Sequence, residues 1–228
     1  MIKAVFFELD RTLLDRDTSV RLFAQGQYDR LYPYLKQAGK ETYVTRFVEL
    51  DNHGLVRKDR VYKQLVQELG VRRLTWQDFY KDYRANFRYT CRVFQDTDIV
   101  LDMLKQAGFL LGIITNGSGH QMTNIRAINI EHYFDVILIS EWEGVKKPEP
   151  EIFHRALGKL RVSASESVFI GDNPIADIAG AGQVGMKTIW KRDNPEQESV
   201  TADAVADAVI DNLSELLTVL QQLNGAKL

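Results

Sequence analysis

Acidic, hydroxyl and ammonium side chains recur where apolar runs of this chain end, and their order points to chemistry on an anion. Ile2-Lys3-Ala4-Val5-Phe6-Phe7 is a short run rich in strand formers, of the kind buried on both faces of a parallel sheet. It ends in Glu8-Leu9-Asp10-Arg11-Thr12, two carboxylates two residues apart followed by a hydroxyl. In an open α/β sheet the crevice beyond the strand C-termini is where ligands sit. Two carboxylates there repel each other unless a cation lies between them. A hard, oxygen-binding ion such as Mg²⁺ is the natural inference.

Three later segments add to this one. Phe109-Leu110-Leu111-Gly112-Ile113-Ile114 is a second buried-strand run and ends in Thr115-Asn116-Gly117. Gly144-Val145-Lys146-Lys147-Pro148-Glu149-Pro150 sets a lysine directly before a proline, which cannot extend a helix backwards. Ser167-Val168-Phe169-Ile170 runs into Gly171-Asp172-Asn173-Pro174-Ile175-Ala176-Asp177, with two acids five apart around a helix start. Any one of these segments has a bland explanation as a cap or a solvated loop. The ordered set of four does not.

On these four segments the chain resembles the haloacid dehalogenase-like (HAD) superfamily of phosphohydrolases, and the resemblance spans essentially its whole length. It implies an α/β fold, a Rossmann-like parallel-sheet core carrying an all-helical cap insert. The family's first motif reads Asp-x-Asp-x-Thr, nucleophile first and general acid/base second. Carried over by position, Glu8 takes the nucleophile slot and Asp10 the acid/base slot. The resemblance further implies that Thr115 and Asn116 bind the phosphoryl oxygens and that Lys147 neutralises the charge shared by nucleophile and phosphate. Mg²⁺ would be held by Glu8, Asp10 and Asp172, with Asp177 in support.

Residue chemistry is consistent with these roles. A carboxylate attacking a phosphate dianion needs a metal and a lysine to offset the repulsion. Attack forms an acyl phosphate and splits hydrolysis into two easier displacements. Asp10 can protonate the leaving alkoxide and then deprotonate the attacking water. The partner implied is a small phosphorylated metabolite. The dehalogenase branch is disfavoured, because removing halide from a haloacid needs no metal to offset a phosphate dianion.

Two residues depart from the family pattern. Glu8 carries one methylene more than aspartate, a reach of ~1 Å, and a misplacement of that size can cost on the order of 10²-fold in rate. Arg11 could contact the phosphate, pair with Glu8, or point into water. Both residues motivate an alternative from a different class: a catalytically impaired HAD-fold protein that binds phosphate or a metabolite and regulates. Because Glu8 lies at a strand end and not in the packed interior, substitutions there should change stability little.

The 228 residues suffice for a core domain plus an insert. With 29 basic against 31 acidic residues the net charge is -2, which gives no general pull toward nucleic acid or anionic membranes. The lone Cys91 excludes an internal disulfide and suits a reducing compartment. The N-terminus shows no cleavable signal pattern, and the longest apolar runs fall far short of the ~20 residues that span a bilayer. The expectation is a soluble cytoplasmic protein, monomer or homodimer, without nucleic-acid or membrane partners.

The domain expectation is a core of residues 1–15 and 93–228 around a helical cap of 16–92. Between the first two strands, Val20, Phe23, Tyr28, Leu31, Tyr34 and Leu35 recur at helical spacing, and Gly39, Asn52 with Gly54, and Gly70 divide the stretch into four helices. Thr75 reads as an N-cap. Arg16, Arg21, Lys58 and Arg84 could meet an anionic leaving group or be solvated. Tyr28, Tyr32, Tyr34, Trp76, Phe79, Tyr80 and Tyr83 could line a pocket or form the cap's own core. After it, strands and helices alternate: helix 97–107, strand from 109, helix 119–128, strand 134–139, helix 150–160, strand from 167, helix 175–184, strand 187–190, a polar loop 194–201, strand 208–210 and helix 213–223.

Overall fold

Among the described residues six short strands form one sheet in the order β3-β2-β1-β4-β5-β6. They are β1 Ala4–Phe7, β2 Leu110–Thr115, β3 Val136–Ile139, β4 Ser167–Gly171, β5 Lys187–Lys191 and β6 Ala208–Ile210. Every pairing is parallel. The computed structural model describes residues 1–192 and 206–225, so the polar loop expected at 194–201 lies outside the described residues. The chain divides into two compact units, Met1–Leu14 with Val93–Leu228, and Asp15–Arg92.

In the first unit, β1 sits at the centre with all four residues buried. The sheet grows from β1 through β2 to β3, then resumes on the other side of β1 with β4. Such a reversal opens a crevice at the strand C-termini, here between β1 and β4. The register pairs Phe7 with both Ile113 and Ile170, so the residues that follow these strands emerge together. Phe6, Ile114, Leu138, Ile152, Phe153, Phe169 and Met186 belong to one core cluster. Phe6 packs so tightly on β2 that a Cβ on Gly112 would lie 2.5 Å from its ring.

The helices of this unit are α6 Thr97–Gln106, α7 His120–Ala127, α8 Ser140–Glu143, α9 Pro150–Leu160, α10 Gly180–Gln183 and α11 Leu216–Leu223. Two differ from expectation. The four-residue α8 directly after β3 had no sequence signal. The single helix expected over 175–184 is instead a wide π-type turn, Pro174–Ala179, followed by α10. Pro174 has no N–H to donate, and the Asn173 side chain caps Ile175 and Ala176. Ile178 reaches back five residues to the Asn173 carbonyl. Such bulges concentrate at functional sites, and this one carries Asp177.

The second unit is helical throughout: α1 Arg16–Arg30, α2 Tyr32–Leu35, α3 Lys40–Asp51, α4 Lys58–Glu68 and α5 Trp76–Asn86. The four long helices are those the sequence spacing predicts, with the single turn α2 added after α1. Thr75 and Asp78 form a reciprocal capping box on α5. Of the aromatic stripe, Tyr28 and Phe79 are buried, while Trp76, Tyr80 and Tyr83 are half-buried. The core is completed by Phe23, Tyr43, Phe47 and Tyr62, which with Phe79 meet ring to ring at 5.4–6.4 Å. Tyr32 and Tyr34 are exposed. Gln27 satisfies the phenols, accepting from Tyr43 at 2.6 Å and Tyr62 at 3.0 Å while donating to the Phe79 carbonyl and Asp82.

Arg16 and Lys58, expected either at an anionic ligand or in water, converge within this unit on buried Asp51. Arg16 grips it with two nitrogens, at 2.6 and 3.2 Å. Burial alone would push the Asp51 carboxyl up, but Lys58 and Arg16 hold it below its ordinary value. Removing one member of such a cluster leaves poorly compensated buried charge, so Asp51→Ala is expected to destabilise the protein by roughly 3–5 kcal/mol in thermal or urea melts. Because the folded carboxyl is the stronger acid, its contribution is complete above the unfolded value of ~3.9. It is lost as pH falls through the lower folded value. The acid limb of the stability curve should therefore flatten in Asp51→Ala.

Candidate active site

Glu8 leaves β1 still paired to the sheet, its N–H donating to the Ile170 carbonyl at 2.9 Å. Its side chain turns into the crevice between β1 and β4, where it is 7% exposed. This corrects the expectation that Glu8 lies outside the packed interior, so Glu8 substitutions can affect stability as well as chemistry. One carboxylate oxygen accepts from the Leu9 N–H at 2.8 Å and from the Thr115 hydroxyl at 2.5 Å. The other is ion-paired with Lys147. A carboxylate has about four acceptor sites, so three donors orient Glu8 and leave room for about one further bond.

Lys147 is the hub. Its ammonium is wholly buried, bridges Glu8 and Asp177 (2.5 Å to the latter), and lies 4.9 Å from the Phe169 ring centroid. Burial alone would push the ammonium down, but the two carboxylates raise it above its ordinary value, so it stays charged. Asn116 clamps the lysine backbone at both polar groups, donating to the Lys147 carbonyl at 3.0 Å and accepting from its N–H at 2.9 Å. The Asn116 carboxamide thus holds Lys147, a duty absent from the sequence reading.

Asp177 reaches Lys147 from the wide turn, and its second oxygen accepts from the Asn173 N–H at 2.9 Å. Asp172, one residue beyond β4, lies 3.5 Å from the Arg11 guanidinium. Arg11 therefore sits by Asp172, and the tight loop gives it a left-handed backbone at φ 60°. Asp10 accepts from Gln121 at 2.8 Å. Thr12, the hydroxyl of the first motif, is fully buried, and its Oγ1 has no hydrogen-bond partner among the described residues.

The electrostatics show excess negative charge. Burial raises Glu8 to about 7 despite Lys147, with Asp177 adding to the rise. Asp172 is raised to about 8 by burial and by the charges of Asp177 and Glu8, against the opposing pull of Arg11 and Lys147. Glu8, Asp10, Asp172 and Asp177 face Lys147 and Arg11 here, with buried Lys191 donating to the Arg11 carbonyl at 3.3 Å. Among the described residues no three His, Cys, Asp or Glu side chains form a ready metal cage. Mg²⁺ does not require one, since it keeps several waters and binds through one or two carboxylates. The all-oxygen, charge-excess donor set fits that ion.

Three neighbours of these residues escaped the sequence reading. Gln121, Asn124 and Asn173 are amides of unremarkable type, and only their placement after β2 and β4 hinted at a role. Gly171 is equally hidden: a Cβ there would lie 2.5 Å from Asp177 Cγ. Gly171→Ala must displace Asp177 from Lys147. It is expected to lose about 1–3 kcal/mol in thermal melts, the usual cost of overpacking.

Comparisons with known proteins show the family and the fold. The sequence profile of haloacid dehalogenase-like hydrolases matches residues 5–191, and the chain belongs to that family. It is 32% identical to the glyceraldehyde 3-phosphate phosphatase of Pyrococcus furiosus, over 99% of this chain and 95% of the relative. Among solved structures, the HAD-hydrolase YfnB of Bacillus subtilis, bound to magnesium and described as revealing interdomain movement, superposes with a TM-score of 0.77 at 25% identity. That match covers 96% of this chain and 98% of the other. A 2-haloacid dehalogenase from Pseudomonas syringae gives 0.65 at 29% identity, over 97% and 99%.

Proposed function

We propose that this chain is a Mg²⁺-dependent phosphatase of a small phosphorylated metabolite, acting through an acyl phosphate on Glu8. The observation that carries this reading is the buried Lys147 bridging Glu8 and Asp177 beside Thr115. A buried ammonium there offsets the charge that builds when a carboxylate meets a phosphate dianion. Glu8 attacks phosphorus while the bond to the leaving oxygen breaks, and Asp10 gives that oxygen a proton. Asp10 then takes a proton from water, which attacks the acyl phosphate, frees phosphate and restores Glu8. Thr115 orients Glu8 and, with the Asn116–Lys147 clamp, shapes the anion pocket. Mg²⁺ held by Glu8, Asp10 and Asp172, with Asp177 in support, supplies further charge neutralisation when bound.

The helical unit Asp15–Arg92 acts as the cap in this reading, a role supported by its insertion between β1 and β2. Closing a cap excludes water and strengthens charge interactions within a site. Among the described residues no helix is long and apolar enough to cross a membrane. A cytoplasmic setting is supported by the single, buried Cys91. Similarity to the Pyrococcus enzyme makes glyceraldehyde 3-phosphate the first substrate to try.

Phosphate release is to be measured from glyceraldehyde 3-phosphate, other alkyl phosphates and p-nitrophenyl phosphate, with Mg²⁺ and with chelator. Turnover should require the metal. Metal-independent halide release from a 2-haloacid, with no phosphate release, would overturn the reading in favour of a dehalogenase. Glu8→Gln should abolish turnover, since an amide cannot serve as the attacking carboxylate. Glu8→Asp should raise it by about 10²-fold by shortening the reach ~1 Å. The extra methylene of Glu8 favours one second reading, a chain that binds phosphate without turnover. That reading predicts calorimetric phosphate binding in the parent and phosphatase activity only in Glu8→Asp.

A further inference from the structure

We infer that Gln121 is a positioning residue that holds the acid/base Asp10 in register with Glu8, and that Asn124 sets the direction of its amide. The inference rests on the phosphatase reading above and extends it to residues outside the four motifs. Gln121 and Asn124 stand three apart on α7, so they share one face of the helix. Both are nearly buried, at 7% and 8% exposure.

Their hydrogen bonds form a chain with one polarity. The Asn124 amide donates to Gln121 Oε1 at 3.1 Å. Gln121 Nε2 donates to Asp10 Oδ2 at 2.8 Å and to Thr115 Oγ1 at 3.3 Å. With Thr115 Oγ1 accepting there, its hydroxyl hydrogen is directed to Glu8 Oε1. An amide nitrogen has two N–H groups, and both are used, one on the Asp10 carboxylate and one on the Thr115 hydroxyl that in turn donates to Glu8. Were the Gln121 amide reversed, its oxygen would face Asp10 and repel it. Gly117 makes room for this arrangement, since a Cβ there would lie 2.9 Å from Gln121 Cγ.

Fixing one oxygen of Asp10 fixes the plane of its carboxylate and hence the line along which it can pass a proton. Proton transfer matters most for a poor leaving group. An alkoxide must be protonated as it departs, whereas a nitrophenolate leaves with little help. A residue that aims Asp10 should therefore affect alkyl and aryl phosphates unequally. A residue that only supports the fold should affect both alike.

The test compares kcat/KM, which reports the steps up to departure of the leaving group, for p-nitrophenyl phosphate and for a panel of alkyl phosphates headed by glyceraldehyde 3-phosphate. Gln121→Met, which keeps the bulk and removes the donors, should lose about 10²-fold on the alkyl phosphates. Its loss on p-nitrophenyl phosphate should be at least about tenfold smaller. Asn124→Asp can only accept, so it turns the Gln121 amide around and should be more damaging than Asn124→Ala, which merely loosens it. Thermal melts check that each variant is folded, and should Gln121→Met not fold, the order of the Asn124 pair decides. Equal losses on both substrate types, or Asn124→Ala at least as damaging as Asn124→Asp, would overturn the inference while leaving the phosphatase reading intact. A parent chain that hydrolyses no phosphate ester overturns that reading, and this role with it.

Discussion

A lysine ammonium buried between two carboxylates is the constraint around which the site is arranged. Taking an ammonium out of water costs several kcal/mol even after relaxation, and only close, well-directed partners return it. Lys147 has them in Glu8 and Asp177. Those partners lie far apart in the sequence, one after β1 and one after β4. Each must also be held. The Asn116 carboxamide fixes the lysine backbone, Thr115 and the Leu9 N–H fix Glu8, and the Asn173 N–H fixes Asp177. A strict β-carbon limit at Gly171 keeps the space that Asp177 occupies. The charge therefore imposes conditions on residues that never titrate.

The sheet supplies the geometry that makes this affordable. Because β4 returns to the opposite side of β1, the ends of β1, β2 and β4 open into one crevice. Phe6, Ile114 and Phe169 beneath it are fully buried, so the polar groups stand on a rigid apolar floor. A floor of this kind suits charges that must not relax, since preorganised groups lose little free energy to rearrangement during reaction.

Legibility in the sequence followed how locally each feature is encoded. Strands β1, β2 and β4 were readable because a strand buried on both faces is a continuous apolar run. The four long helices of the second unit were readable from their spacing and from the Thr75 cap. Phe134 and Asp135 looked like the start of β3, but Asp135 instead accepts from the Leu111 N–H and from Lys105, and the strand begins at Val136. The π-type turn at Pro174 was not expected, because Pro174 and the Asn173 cap are ordinary helix-start signals and nothing in residue type marks the five-residue reach of Ile178 to the Asn173 carbonyl. Charged and amide residues were the hardest. Arg16, Lys58 and Asp51 are scattered over α1, α4 and α3, and each alone resembles a solvated helix residue. Gln121 and Asn124 gave no signal by type. Residue type singled out the candidate reactive groups, while the groups proposed to aim them depend on distances only the fold supplies.

The insertion of the helical unit has a consequence for how such a chain is assembled. Leu14 and Val93 form an antiparallel bridge, and the Phe94 N–H donates to the Leu13 carbonyl at 3.1 Å. Just inside the helical unit the Asp15 N–H donates to the Arg92 carbonyl at 2.8 Å. The excursion thus departs and returns through a paired stem, and from the sheet's side it is a closed loop whatever its contents. Closing a loop costs an entropy that grows only logarithmically with length, so a longer or shorter insert would burden the sheet by a small amount. A stem of this form is a socket: the sheet and the side chains at its crevice can stay fixed while the module plugged into it is exchanged.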